Sequence, residues 1–308
     1  MDGKRFRRVA VLMGGASSEA EISLLSGRAV LGALREAGYE ASPVELDRAT
    51  NAFELPAGTE AAFVAVHGAY GEDGGLQARL DALGVPYTGS GAAASRVSFD
   101  KILSRAAFAA AGVPVPEGFA LAPGEDEGDA PRLALPVVVK PPRQGSSVGV
   151  SIVRDAAQWR PAVAEARRFD PEVLVERYVP GREWSVAIAG EEALPPMEIR
   201  PKSGWYDWRN KYDDDAGTAY LFPEDDPAED RALLAAAKET ALAAYRAVGG
   251  RGVGRVDMRI DPAGRIFVLE NNSIPGCTSH SILPKSAAKA GIPFPALCAR
   301  ILEAARCG

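Results

Sequence analysis

A chain of 308 residues, 47% apolar and 25% charged, is long enough for two or three domains with substantial cores and has the composition of a globular protein. A net charge of -6 without a dense Lys/Arg cluster argues against a nucleic-acid binder. Cys277, Cys298 and Cys307 have no metal-type spacing and leave an odd count, which fits reduced thiols in a cytoplasm better than a disulfide framework. Residues 9–13 are a strand-length apolar run, too short for a signal peptide or a membrane span.

Strand and helix signals alternate in the first part of the chain. Residues 9–13 read as a buried strand, followed by Gly14-Gly15-Ala16-Ser17-Ser18. The next helix is expected to bury Ile22, Leu25, Ala29, Leu34 and Ala37 as one stripe and to end at Gly38. Residues 61–66 form another buried strand running into His67-Gly68. Such repetition predicts a parallel sheet with ligand loops at the carboxyl ends of its strands. Gly14-Gly15 lacks the spacing of a dinucleotide fingerprint, which excludes a nicotinamide enzyme. Beyond Gly91 a helix is expected near 93–111, then short strands at 115–122 and 135–140, a Gly/Ser loop, and a further strand from Val150. Strands at 172–179 and 183–189 are separated by Pro180-Gly181. A polar loop (203–221), a long helix (228–248), an acidic hairpin and two closing helices complete the chain. Three units follow: 1–92, 93–180 and 181–308.

The acidic hairpin carries the most chemistry. Asp261-Pro262-Ala263-Gly264-Arg265 is a turn signal between Gly254-Arg255-Val256-Asp257 and Leu269-Glu270-Asn271-Asn272. A four-residue loop at 262–265 would set Asp257 opposite Glu270 and Arg255 opposite Asn272, all on one face. Val256, Met258, Ile260, Phe267 and Leu269 would then take the other. Opposed carboxylates repel and call for a cation between them, and this oxygen-rich set suits Mg²⁺. Gly145-Ser146-Ser147-Val148-Gly149, preceded by Lys140, has the make-up of a phosphate-gripping loop between two strands. Glu176-Arg177-Tyr178-Val179, with Glu183 beyond the bend, offers backbone hydrogen bonds to an adenine and a carboxylate to a ribose.

Together these pieces resemble the D-alanine–D-alanine ligases of the ATP-grasp superfamily over nearly the whole length. The resemblance rests on Met13-Gly14-Gly15-Ala16-Ser17-Ser18-Glu19-Ala20-Glu21, His67-Gly68-Ala69-Tyr70-Gly71-Glu72-Asp73-Gly74 and Tyr87-Thr88-Gly89-Ser90-Gly91. It continues through Asp100-Lys101, the 140–149 loop, Lys211-Tyr212, Gly254-Arg255-Val256-Asp257 and residues 270–281. It implies an α/β protein: a Rossmann-like N-terminal domain with a parallel sheet, then a two-subdomain ATP-grasp fold.

The resemblance also implies roles. Asp257, Glu270 and Asn272 would hold Mg²⁺ or Mn²⁺, two ions being expected. Lys101, Lys140 and Lys211 would contact the phosphates of ATP. Glu176, Arg177, Val179 and Glu183 would hold adenine and ribose, with Trp205 beside the nucleotide. Glu21 would pair with the ammonium of the first D-alanine, with His67 nearby. Arg255 and the Gly276 N–H would stabilise the oxyanion formed when the second D-alanine attacks a D-alanyl phosphate. Ser281 would receive the second substrate's carboxylate, with Ile282 against its methyl. Ser146 and Tyr212 would link a mobile lid (203–221, with Gly204 and Gly217 as flexible points) to the first site. The product would serve peptidoglycan precursor synthesis in the cytoplasm, and a homodimer with neither a nucleic-acid nor a membrane partner is expected.

The chain departs from the family pattern at Pro142, Gln144, Asn271, Ser273, Cys277 and Lys285. None removes a catalytic group, but Cys277 and Lys285 flank Ser281. The competing expectations are a ligase joining D-alanine to D-lactate or D-serine, and a non-catalytic ATP-binding sensor.

Overall fold

The computed structural model describes residues 3–201 and 218–308. Its first sheet is parallel, with β1 (Arg8–Gly14) between β2 (Glu40–Leu46) and β3 (Ala61–Val64). Sequence reading missed β2: Glu40-Ala41-Ser42-Pro43 carries no strong strand pattern. An edge strand tolerates Pro43 because one side of it makes no ladder bonds.

Helix α1 (Ala20–Glu36) packs on this sheet with a face different from the expected stripe. Leu25 is exposed, and the buried face runs through Ser23, Leu24, Ser26, Gly27, Val30, Ala33 and Leu34. The reason is distance. A Cβ added at Gly27 would lie 2.5 Å from Met13 Cβ, so only small side chains fit at this crossing. Ser23 satisfies its hydroxyl there by donating to Ala65 O (2.6 Å) and accepting from Gly14 N (2.7 Å). α2 (Gly75–Ala82) follows β3.

The helix expected near 93–111 is two helices, α3 (Ala92–Phe99) and α4 (Lys101–Ala110). Asp100 breaks it: with ψ 108 it is extended, and its carboxylate caps α4 by accepting from Ile102 N (2.9 Å) and Leu103 N (3.2 Å). A four-stranded antiparallel sheet comes next, β4 (Gly118–Leu121), β5 (Val137–Lys140), β6 (Ser151–Val153) and β7 (Val173–Arg177), in the order β4-β7-β5-β6. α5 (Trp159–Arg167) covers it through Trp159, Ala162, Val163 and Ala166.

The third sheet is antiparallel, with β8 (Arg182–Ala189), β9 (Glu192–Ala193), β10 (Met197–Arg200), β11 (Ala219–Leu221), β12 (Val253–Ile260) and β13 (Ile266–Asn272). The order is β11-β10-β8-β12-β13, with β9 on β8. The end of the expected polar loop is therefore a strand, β11. One sheet face packs Trp184, Val186, Val256 and Met258 against Leu234, Ala241 and Tyr245 of α6 (Arg231–Ala247). Full burial of such a side chain contributes about 1.5–3 kcal/mol. The opposite face carries Glu183, Ser185, Arg255 and Asp257 toward the site and buries Ala187 and Ala189 in a second core. α7 (Ile282–Lys289) and α8 (Phe294–Glu303) close the chain against β8 and α1. Among the described residues no helix is long and apolar enough to cross a membrane.

Candidate active site

Two cavities meet between the sheets. The larger, about 340 Å³, is bordered by Glu19, His67, Glu72, Arg255, Asn272, Gly276 and Ser281. The smaller, about 110 Å³, is bordered by Lys140, Glu176, Arg177, Val179, Glu183 and Leu269. Lys101, Gln144, Gly145, Ser146, Asp257 and Glu270 belong to both walls.

The hairpin places Arg255 opposite Asn272 and Asp257 opposite Glu270, as expected. The register then slips between Asp257 and Met258, so that Met258 meets Val268 and Ile260 meets Ile266. This bulge corrects the expected faces. Val268, 1% exposed, takes the core position, while Leu269 turns to the wall of the smaller cavity. Each acid meets its own side-chain cation. Arg255 grips Asp257 with Nε (2.9 Å) and Nη2 (2.7 Å), and Lys101 Nζ stands 2.9 Å from Glu270 Oε2. The Ser185 hydroxyl also donates to Asp257 across the β8–β12 ladder. Asn272 Oδ1 accepts from Ile274 N (3.1 Å), which fixes its amide at the cavity wall.

The Gly/Ser loop joins β5 to β6 and is pinned at its base. Lys101 N donates to Pro142 O (3.1 Å), Lys101 Nζ to Gln144 O (2.7 Å), and Arg143 pairs with Asp100, Asp170 and Glu172. Ser146 and Ser147 both sit in the left-handed region, at φ 53 and 59, a strained choice for consecutive non-glycine residues. The strain is held by Ser146 Oγ, which donates to Glu19 Oε1 at 2.6 Å. Lys140, 7% exposed, pairs with Glu176 at 2.5 Å, and Arg105 reaches the other Glu176 oxygen at 2.7 Å. Glu183 faces Arg259 at 3.2 Å.

Glu21 does not enter the site. Its side chain is 72% exposed and pairs with Arg48 on the surface. Glu19, two residues earlier and so on nearly the opposite side, holds the cavity position, and sequence reading passed over it. Both acids precede or open the same helix, and their facing depends on where α1 begins. Glu72 was likewise missed as a site group. Burial pushes its carboxyl above the usual range, partly offset by His67, whose Nδ1 lies 3.6 Å away. His67 is 5% exposed, with Nδ1 3.0 Å from Ile274 O and Nε2 3.0 Å from Ser26 Oγ. A carbonyl only accepts, so Nδ1 carries a proton directed at Ile274 O.

Ser281 lies at the amino end of α7, where Thr278 N donates to its hydroxyl at 3.1 Å. A Cβ at position 276 would come within 2.6 Å of Ser281 Oγ, so a side chain there would displace the Ser281 hydroxyl from its present position. Ile282 lies beside it in the cavity wall. Trp205, Lys211, Tyr212 and most of the expected lid lie outside the described residues.

Residues 108–303 match the family described as D-ala D-ala ligase C-terminus. The chain is 44% identical over 307 residues to the D-alanine--D-alanine ligase of Laribacter hongkongensis (strain HLHK9), spanning 99% of this chain and 98% of that protein. The crystal structure of D-alanine--D-alanine ligase from Bacillus anthracis superposes with a TM-score of 0.85 at 35% identity, over 97% of each chain. The D-alanine-D-alanine ligase structure from Coxiella burnetii gives a TM-score of 0.82 at 26% identity, over 97% of this chain and 95% of that one. With such matches over nearly its full length, the chain belongs to the D-alanine–D-alanine ligase family.

Proposed function

We propose that the two adjoining cavities are the nucleotide and amino-acid sites of an ATP-dependent ligase that joins two D-alanines by way of a D-alanyl phosphate, supplying peptidoglycan precursor synthesis. The observation that carries this reading is the shared wall. Lys101, the Gly145-Ser146 turn, Asp257 and Glu270 stand where a phosphate chain from the smaller cavity would meet a carboxylate in the larger. An ATP-grasp arrangement, with nucleotide between the two antiparallel sheets and a Rossmann-like unit completing the amino-acid site, accords with this division.

Adenine fits the slot between Val179 and Leu269, with Glu183 accepting from ribose hydroxyls and Glu176 held in place by Lys140 and Arg105. Lys101 and the loop N–H groups meet the phosphates. Glu19, rather than Glu21, takes the ammonium of the first D-alanine, with Glu72 and His67 behind it. One oxygen of that D-alanine's carboxylate attacks the γ-phosphorus, and ADP leaves. The amine of the second D-alanine, having shed its proton to solvent, attacks the acyl carbon, and phosphate departs with the acyl C–O bonding pair and takes up the proton that the nitrogen then loses. Arg255 and the Gly276 N–H stabilise the tetrahedral oxyanion between these events. Ser281 and the positive end of α7 hold the second carboxylate, and Ile282 meets its methyl.

Asp257, Glu270 and Asn272 suit a divalent cation such as Mg²⁺ or Mn²⁺. Their donors are hard oxygens on one sheet face, and both carboxylates already attract cationic side chains. Among the described residues no three His, Cys, Asp or Glu side chains cluster to hold a metal, but Mg²⁺ needs only one or two carboxylates alongside substrate phosphates. When bound, the cation neutralises charge on the phosphate oxygens.

The test is phosphate release from ATP with D-alanine alone, then with D-lactate or D-serine added, with products identified by mass spectrometry. D-alanine-dependent release giving D-Ala-D-Ala is expected. A depsipeptide or D-Ala-D-Ser as the main product would overturn the second substrate, and ATP binding without turnover would overturn the enzyme reading.

A further inference from the structure

Strand β11 forms the outer edge of the third sheet, with Tyr220 opposite Ile199 of β10. Tyr220, Ile199 and Ile282 form the apolar wall of the larger cavity beside Ser281. On the outer side of that wall, two lysines of α7 stand over two aromatic rings. Lys285 Nζ lies 4.4 Å from the Tyr220 ring centroid, and Lys289 Nζ lies 5.4 Å from that of Phe222. The spacings match: four residues of helix rise about 6 Å, and two residues of strand rise about 6.6 Å. Lys289 adds an ion pair to Asp225 just beyond β11. Helix α7 thus clamps the edge strand in two places, and the ring reaching the cavity is the one under Lys285. Lys285 itself does not border the cavity, whereas the ring it stands over does.

We propose that Lys285 is a positioning residue for the second substrate: it fixes the Tyr220 ring against Ile199 and Ile282, and that ring limits the side-chain size of the amine-bearing D-amino acid. The inference rests on the reading that the Ser281 end of the cavity takes the second D-alanine. Losing the cation over its face removes one hold on the ring, and the wall it forms gives way more readily to a larger side chain.

The experiment compares D-alanine, D-2-aminobutyrate and D-norvaline as acceptors in the unmodified enzyme and in Lys285→Met, Lys285→Arg, Tyr220→Ala and Tyr220→Phe. Tyr220→Ala is expected to raise kcat/KM for D-norvaline relative to D-alanine by about tenfold or more, the scale of one or two methylenes in an apolar pocket. Lys285→Met should shift the same ratio in the same direction and raise KM for the second D-alanine severalfold, with kcat and the KM for ATP within about twofold. Lys285→Arg and Tyr220→Phe, which keep a cation over a ring, should restore the original preference. An acceptor preference unmoved by Lys285→Met, or equal changes in the KM for ATP, overturns the proposal while leaving the ligase reading intact. Failure of the unmodified enzyme to form D-Ala-D-Ala overturns both.

Discussion

Asp257 accepts from both arms of Arg255 and from the Ser185 hydroxyl, so one carboxylate joins the candidate metal face to the candidate oxyanion stabiliser. Arg255→Ala should lower kcat by roughly 10²-fold, the scale for losing one oxyanion donor. A change confined to the KM for ATP would make Arg255 a ground-state phosphate ligand instead. Glu270→Gln should nearly abolish turnover, because a neutral amide cannot balance Lys101 and a divalent ion together. Near-normal kcat with an intact fold would sink that assignment. Glu19 and Glu21 offer a direct contrast. Glu19→Gln should raise the KM for the first D-alanine by about tenfold or more, the worth of a charge-assisted hydrogen bond in a closed site. Glu21→Gln, at an exposed ion pair with Arg48, should leave it within about twofold. Equal effects would return the ammonium site to Glu21. Residue chemistry was legible wherever a backbone signal fixed the facing, as the turn at Asp261-Pro262-Ala263-Gly264-Arg265 did for Arg255, Asp257, Glu270 and Asn272. Glu19 was not legible, because nothing local sets the rotational phase of the first turn of α1.

At the scale of elements, the break at Asp100 and the Gly/Ser loop form one device. Asp100 caps α4, accepts Arg143 at 3.1 Å, and so ties the start of the loop to the helix that carries Lys101. Asp100→Ala should cost about 1–2 kcal/mol through the lost cap and also raise the KM for ATP. Denaturant midpoints and steady-state kinetics on one preparation would check both. Lost stability with unchanged ATP kinetics would show that Asp170 and Glu172 alone position the loop. The two-helix break, the strand β11 and the buried face of α1 were hidden for a common reason. Each depends on what packs against the segment: Arg143 beside Asp100, β10 beside β11, and Met13 beneath Gly27. Long periodic segments such as α6, and the strands around the Gly/Ser loop, carry their pattern within themselves and were readable.

At the scale of the whole molecule the cores do not follow chain order. One core joins Val9, Val11 and Met13 of β1 and Val30 and Leu34 of α1 to Ala187 and Ala189 of β8, Leu283 of α7 and Leu297, Cys298 and Ile301 of α8. Arg251 reinforces the joint, donating to Gly89 O at 2.8 Å and Cys307 O at 2.9 Å while lying over the Tyr87 ring. The core under the four-stranded sheet is different: Leu121, Val137, Val139, Trp159 and Val173 all come from one stretch of chain. That sheet should therefore open as a separate unit before the joined core does. The cysteines supply the readout. Cys277 and Cys298 are buried in the joined core, where burial pushes the Cys277 thiol up to about 12, whereas Cys307 is exposed. Alkylation at pH 8 should modify Cys307 alone in the folded protein, since a protonated buried thiol is a poor nucleophile. With rising denaturant, amides of β5 and β7 should exchange before Cys277 and Cys298 become reactive, and those two should appear together with exchange in β1. If β5, β7, β1 and both buried thiols open at one denaturant concentration, the molecule is a single cooperative unit and the division into two cores has no energetic meaning.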